Sequence, residues 1–446
     1  MIARSRIGSL LAAAGVAGAS LLLAGCSGWF GETRAAPIPG DRVAVLETGS
    51  GLEPDAEVAR MPFALPSATF DGWPQDGGNP QHNPQRLEGS GALNVVWNTS
   101  IGSGSSSWSR LLVQPVIGDG RIYTLDTEGV VAARSPNGGA ALWEVDVLPE
   151  DEDEGELGGG VAFAGDTLYV TTGAAEALAL EPANGSVVWR VPLPGPSRSA
   201  PTVAGGRVFA VTADNRTVAL DAATGERLWS HSGTTDEAGL LGAASPAVDG
   251  SVVVVPYTSG EVYAMRVENG RVLWSDRLVA PRRTAAVARI AHIRARPIIS
   301  EGRLYVVSHS GRTAGLDMRT GARVWQQEAG GATSPWLAGD WLFVVSNRAE
   351  VVALSAGDGR VRWATPLPAY RYPESREDPI DWVGPILVGD RLIVAGSNGV
   401  VAALSPETGE VLAEREISGA PIRIEPMAAG GTIYILADDA RLYALR

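Results

Sequence analysis

A tryptophan closes the same short phrase seven times along the sequence. ALNVVW ends at Trp97, GGAALW at Trp143, NGSVVW at Trp189, TGERLW at Trp229, NGRVLW at Trp274, TGARVW at Trp325 and DGRVRW at Trp363. An eighth copy, TGEVLA, has Ala413 at the indole position. The intervals run from 38 to 51 residues, the length of one β-propeller blade of four short strands. Each copy holds a small or prolyl start, an alternating run, a turn, a second run ending near Ala-Leu-Asp, a Thr-Gly or Asn-Gly turn, and the strand bearing tryptophan. We read these as strands A to D.

The runs are apolar on both sides, as Val208, Phe209, Ala210 and Val211 show, which suits sheets covered on both faces by neighbouring sheets. Glycines such as Gly225, Gly321 and Gly409 stand where a tight hairpin needs positive φ. Blades diverge from the axis, so the outer strand faces a wedge that a large flat side chain fills while its N–H reaches a backbone acceptor. The seven tryptophans are therefore expected to be structural. The last segment, EPMAAGGTIYILADDARLYALR, supplies strands A to C without D, and ALNVVW is a D strand with no A to C before it. The two are expected to complete one blade, giving an all-β, eight-bladed propeller over 67–446 closed by the N-terminal strand, with no exposed strand edge at the join.

The first residues follow other rules. Arg4 and Arg6 precede an uncharged stretch from Ile7 to Gly25 and then Cys26, the only cysteine of 446 residues. Leu23-Ala24-Gly25-Cys26 has lipobox spacing, so residues 1–25 are expected to be a removed signal and Cys26 a lipidation site. Two acyl chains and an acylated amino terminus give lasting membrane attachment. Residues 26–66, rich in Gly, Pro, Ala and acidic groups, are expected to form an extended tether.

All 36 basic residues are arginine, against 50 acidic ones, a net charge of −14. This balance excludes a basic nucleic-acid face, and the missing lysine excludes a Walker A loop. His82, His231, His292 and His309 form no ligand-spaced motif, and no nucleophile elbow or dinucleotide loop is found. No catalytic, cofactor or metal residue is assigned. The run EDEDEGE at Glu150–Glu156 lacks calcium-loop spacing and is read as a solvated loop.

With TGxxxW turns, strands C ending in ALD, the start WPQDGGNPQHNP at Trp73–Pro84 and the segments GAASPAV, TSPWLAGD and ARLYALR, the chain resembles the quinoprotein-type repeat proteins. Together with the lipobox, it resembles the BamB family of propeller lipoproteins, in an alphaproteobacterial-like form. That resemblance implies a non-catalytic scaffold at the outer membrane, facing the periplasm. It would bind the POTRA domains of the barrel-inserting subunit and assist unfolded outer-membrane proteins. The family's leucine-and-arginine loop has its nearest match in Leu193 to Pro201, which assigns Leu193 and Arg198 to partner binding. The family's acidic loop is unmatched, since Leu240 to Pro246 is small and apolar. A local alternative is the insertion DRLVAPRRTAAVARIAHIRARP, where Arg294 and Arg296 belong to a cluster suited to an acidic partner or anionic head groups, or to a solvated loop.

Two rival readings share the repeats: a quinone-dependent dehydrogenase, and a periplasmic propeller binding some other protein. The first is disfavoured by the single cysteine and absent lysine. Asp221 and Asp317 sit where turn capping is their expected role.

Overall fold

The computed structural model describes residues 52–67, 72–149, 158–235, 240–278 and 292–446. The signal segment, Cys26, the tether up to residue 51, the acidic run and the insertion between 279 and 291 lie outside them.

Eight four-stranded antiparallel meanders are present among the described residues. In the third blade, strands A to D are Thr202–Ala204, Arg207–Val211, Arg216–Asp221 and Arg227–Ser232. The eighth blade is composite: Met427–Ala429, Thr432–Leu436 and Arg441–Leu445 are completed by Val95–Ser100, whose Trp97 pairs with Ala444. The expected count and closure are both present. Strands A of blades 1 to 5, and of blades 6 and 7, touch one another in succession, whereas strands D carry the exposed outer edges. A meander places its A–B and C–D turns on one face of the ring and its B–C turns and D–A connections on the other.

The tryptophans join each blade to the next. The indole N–H groups of Trp143, Trp189, Trp229, Trp274, Trp325 and Trp363 donate to the carbonyls of Pro182, Ala222, Val267, Met318, Ala356 and Pro406, at 2.8–3.1 Å, always in the C–D turn of the following blade. The turn glycine meets the ring itself. Gly270 has φ +70°, and a β-carbon there would lie 2.6 Å from the Trp229 ring; Gly225 on Trp189 and Gly321 on Trp274 repeat the contact. The Gly-to-Trp phrase thus encodes an inter-blade joint twice over, once in each blade. Ala413 has a direct explanation. Its strand, Val411–Glu416, faces the composite blade, whose strands C and D lie far apart in sequence and share no turn, so no turn glycine or turn carbonyl awaits an indole.

Two features escaped the sequence reading. Residues Trp73 to Gly89 form a belt that visits the inner strands in order. Trp73 exchanges backbone hydrogen bonds with Ile117 of blade 1, Pro74 accepts from Phe163 of blade 2, and the Gln75 side chain pairs with the Val203 backbone of blade 3. Pro80 and Gln81 accept from Val248 and Ile299, Gln85 accepts from the Trp336 indole, Leu87 bonds Leu387, and Gly89 lies against Gly431. These partners sit beside the A–B turns, so the belt closes the axis on that face. Second, the expected tether is docked from Leu52 onward. Asp55 donates its N–H to the Val361 carbonyl, and the Arg362 guanidinium donates to the carbonyls of Val58 and Met61 while lying over the rings of Phe63 and Trp341. Residues 52–66 therefore depart from the extended-tether expectation and cover the outer edge of blade 6. Equivalent outer-strand residues elsewhere, Val188 and Leu273 among them, are exposed.

Candidate functional site

With one face of the axis closed by the belt, the other opens into a cavity of about 700 Å³. D–A connections from several blades line it: Leu111 and Leu112 before blade 1, Leu240 and Leu241 before blade 4, Arg294 before blade 5, Thr333 before blade 6, Ile380 before blade 7 with Trp382 opening that blade's strand A, and Arg423 before blade 8. A small two-stranded hairpin, Tyr370–Tyr372 with Glu377–Pro379, adds Tyr370 and Pro379 to the wall. No repeat announces this hairpin in the sequence.

Below the cavity lies a buried polar hub. The Arg296 guanidinium bonds Asp76 of the belt and Glu425 before blade 8. Ser245 Oγ donates to Asp76 at 2.8 Å, the Ser334 N–H donates to Glu425 at 2.7 Å, and Gln114 Nε2 donates to the Glu425 carbonyl at 2.9 Å. Connections leading into blades 1, 4, 5, 6 and 8 thus converge with the belt on one cation. Burial alone lowers the Arg296 pKa, but Asp76 and Glu425 hold it above the ordinary arginine value. Arg294 stands just above with no ion pair or hydrogen bond among the described residues, and burial pushes its pKa down while Glu425 partly opposes. An arginine remains charged even so.

The residues expected to bind a partner therefore separate. Arg296, expected on a docking surface, has a side chain only 12% exposed and is committed to the hub. Leu193, expected on a contact loop, is 7% exposed and packs between blades 2 and 3 with Val208 and Ala210. Both assignments are corrected: the first because two distant carboxylates claim the cation, the second because Leu193 ends an outer strand and turns inward. Arg198 is partly exposed on the D–A face, and Arg294 lines the cavity. The sequence reading missed two exposed side chains in D–A connections, Trp108, 87% exposed, and Leu241, 45% exposed and lining the cavity. An exposed indole in a Ser-rich connection was the available signal. Asp221 and Asp317 cap their own turns, accepting from Thr224 and Thr320 as expected.

Two buried histidines, His82 near Arg296 and His292 near Arg294, carry a pH response. His82 Nδ1–H donates to the Pro297 carbonyl at 2.9 Å, and burial, then Arg296, lowers its pKa to about 4. His292 Nδ1 accepts the Leu240 N–H at 2.8 Å, and burial, then Arg294, His309 and Arg198, brings it to about 4. Both are neutral when folded and titrate near 6.5 when unfolded. Between these values the unfolded chain binds more protons, so stability falls as pH drops from 6.5 to 4, by about 3 kcal/mol per histidine. Urea unfolding at pH 7.5 and 4.5 measures this. His82→Asn, which keeps a donor for Pro297, is expected to lose visibly less on acidification than the wild type, and an equal loss contradicts the assignment.

The model of the family described as outer membrane protein assembly factor BamB matches residues 127–365 and 375–446. The chain belongs to the BamB family. A BamB-family protein of Salmonella typhimurium, named outer membrane protein assembly factor BamB, is 26% identical over 355 residues, covering 79% of this chain and 88% of that protein. The protein of the same name from Escherichia coli K12 shows the same identity and coverage. Among solved structures, BamB from Moraxella catarrhalis superposes with a TM-score of 0.67 at 20% identity, covering 79% of this chain and 99% of that one. A europium-containing methanol dehydrogenase gives 0.65 at 13% identity, covering 87% and 91%. At these identities both structural likenesses speak to the propeller alone.

Proposed function

We propose that this chain is a non-catalytic scaffold of the outer-membrane β-barrel assembly machinery, whose D–A face docks the POTRA domains of the barrel-inserting subunit. Lipid on Cys26 anchors it at the outer membrane with the ring facing the periplasm, where it assists delivery of unfolded outer-membrane proteins. The observation that carries the docking face is that exposed Trp108 and Leu241 and partly exposed Arg198 all lie in D–A connections, on one face of the ring. Exposed tryptophan, leucine and arginine side chains on one face match the residue types enriched at interface anchors. Family membership over most of the ring supports the assembly role. Against the dehydrogenase reading stand the lone cysteine, the absence of lysine, and the engagement of Asp221 and Asp317 in turns.

Co-purification from detergent-solubilised envelopes tests the docking face. Trp108→Asp and Arg198→Glu are each expected to reduce recovery of the barrel-inserting subunit by about tenfold or more, the scale of an interface anchor, while the melting curve stays in place. Undiminished recovery with both variants removes this face from the interaction.

A further inference from the structure

The cavity above the hub contains more than a docking rim requires. Arg294 projects a guanidinium that meets no carboxylate within ion-pairing distance among the described residues; Arg296, two positions on, holds both floor carboxylates. Thr333 Oγ1 and His309 Nδ1, both buried, have no hydrogen-bond partner among the described residues, and both residues line the same cavity. Thr333 and Arg294 also line the smaller pocket of about 40 Å³ that leads down to Asp76 and Glu425, so the two groups share the cavity base. Buried polar groups left without partners mark a place where a ligand supplies them. Part of the lining is apolar, with Leu111, Leu240, Ile380 and Trp382, and the cavity volume lies within the roughly 300–1,000 Å³ of pockets that enclose small ligands.

The charges select the ligand. Arg110, Arg294, Arg348 and Arg423 face the cavity, as do Asp381 and Asp438, the latter paired with Arg423. Arginines outnumber aspartates on this lining, so the cavity favours an anionic ligand. Asp381 and Asn347 on the lining offer side-chain acceptors, which an N–H-bearing chain uses and a fatty acid does not. We propose that the cavity binds the C-terminal carboxylate of an extended peptide, with Arg294 as counter-ion, Thr333 as hydroxyl donor, and the leucine and tryptophan wall receiving the last apolar side chains. Charge-assisted, planar recognition of a carboxylate by a guanidinium provides the selectivity. Leu241 lines the cavity and also belongs to the proposed docking face, whereas Trp108 and Arg198 lie outside the cavity lining, so variants at those two positions can separate peptide capture from docking.

The test is fluorescence anisotropy with the full-length chain in detergent micelles and a labelled ten-residue peptide ending in apolar residues, supplied as the free acid and as the C-terminal amide. The acid form is expected to bind saturably and the amide about tenfold or more weakly, as loss of a charge-assisted contact dictates. Arg294→Gln is expected to weaken the acid form by a similar factor, leave the amide unchanged and keep the wild-type melt. Leu240→Asp, which charges the wall and leaves Arg294 in place, is expected to weaken both forms. Equal binding of acid and amide, wild-type affinity in Arg294→Gln, or displacement of the peptide by inorganic phosphate at equal concentration each overturns the proposal. The Trp108→Asp variant separates the two activities: it loses the assembly subunit yet retains the peptide.

Discussion

Arg296→Ala is expected to lower the unfolding free energy by about 3–5 kcal/mol, the usual result of removing one partner from a buried ion pair. The magnitude follows from what is left behind. Asp76 and Glu425 remain in a floor from which water is largely excluded, and each has lost its compensating cation. Their other hydrogen bonds, from Ser245 and from the Ser334 N–H, do not neutralise the charge. A triple variant, Arg296→Met with Asp76→Asn and Glu425→Gln, keeps those acceptors and removes every charge. It is expected to recover most of the loss, since neutral replacements of buried ion triads are often no worse than the originals. Urea unfolding monitored by tryptophan fluorescence measures both. A single variant as stable as wild type would show that the hub is solvated and does not join the blades.

The second large effect concerns the blade joint. Trp229→Ala is expected to destabilise the ring by about 3–5 kcal/mol, the range for emptying a large aromatic site. The ring is buried, packs against Phe209 and donates its N–H to Val267 of the next blade, so the change opens a cavity and orphans a carbonyl together. Gly270 provides the discriminating control, because any side chain there collides with the indole. Gly270→Ala is expected to cost clearly more in the wild type than in the Trp229→Ala background, where the collision is gone. A double-mutant cycle isolates that coupling. Additive effects would mean that the glycine serves only its own turn.

The repeat made the ring legible because each blade writes its joint locally: turn glycine, intervening strand and indole lie within a few residues. The composite blade was legible for the same reason, since an unpaired D strand and an unpaired A-to-C set are both visible in the text. The belt was not. Trp73 to Gly89 has no period, and its partners are one inner-strand residue from each successive blade. The arginine insertion misled for a related reason. Arg296 lies 220 residues from Asp76 and 129 from Glu425, so it reads as an unpaired surface cation until the ring closes. Leu193 directly follows a strand of exposed alternation and is itself buried, a change set by the neighbouring blade. Local chemistry thus disclosed the scaffold, whereas the axial site depends on contacts that exist only once eight blades surround a common centre.

Hydrogen–deuterium exchange on the purified chain, with and without the POTRA domains of the barrel-inserting subunit, addresses the docking face most directly. Protection is expected in the D–A connections around residues 103–112, 193–201 and 240–246, with the A–B and C–D turns on the opposite face exchanging as before. Protection confined to those turns, or none at all at saturating partner, would contradict the assignment of this face to assembly.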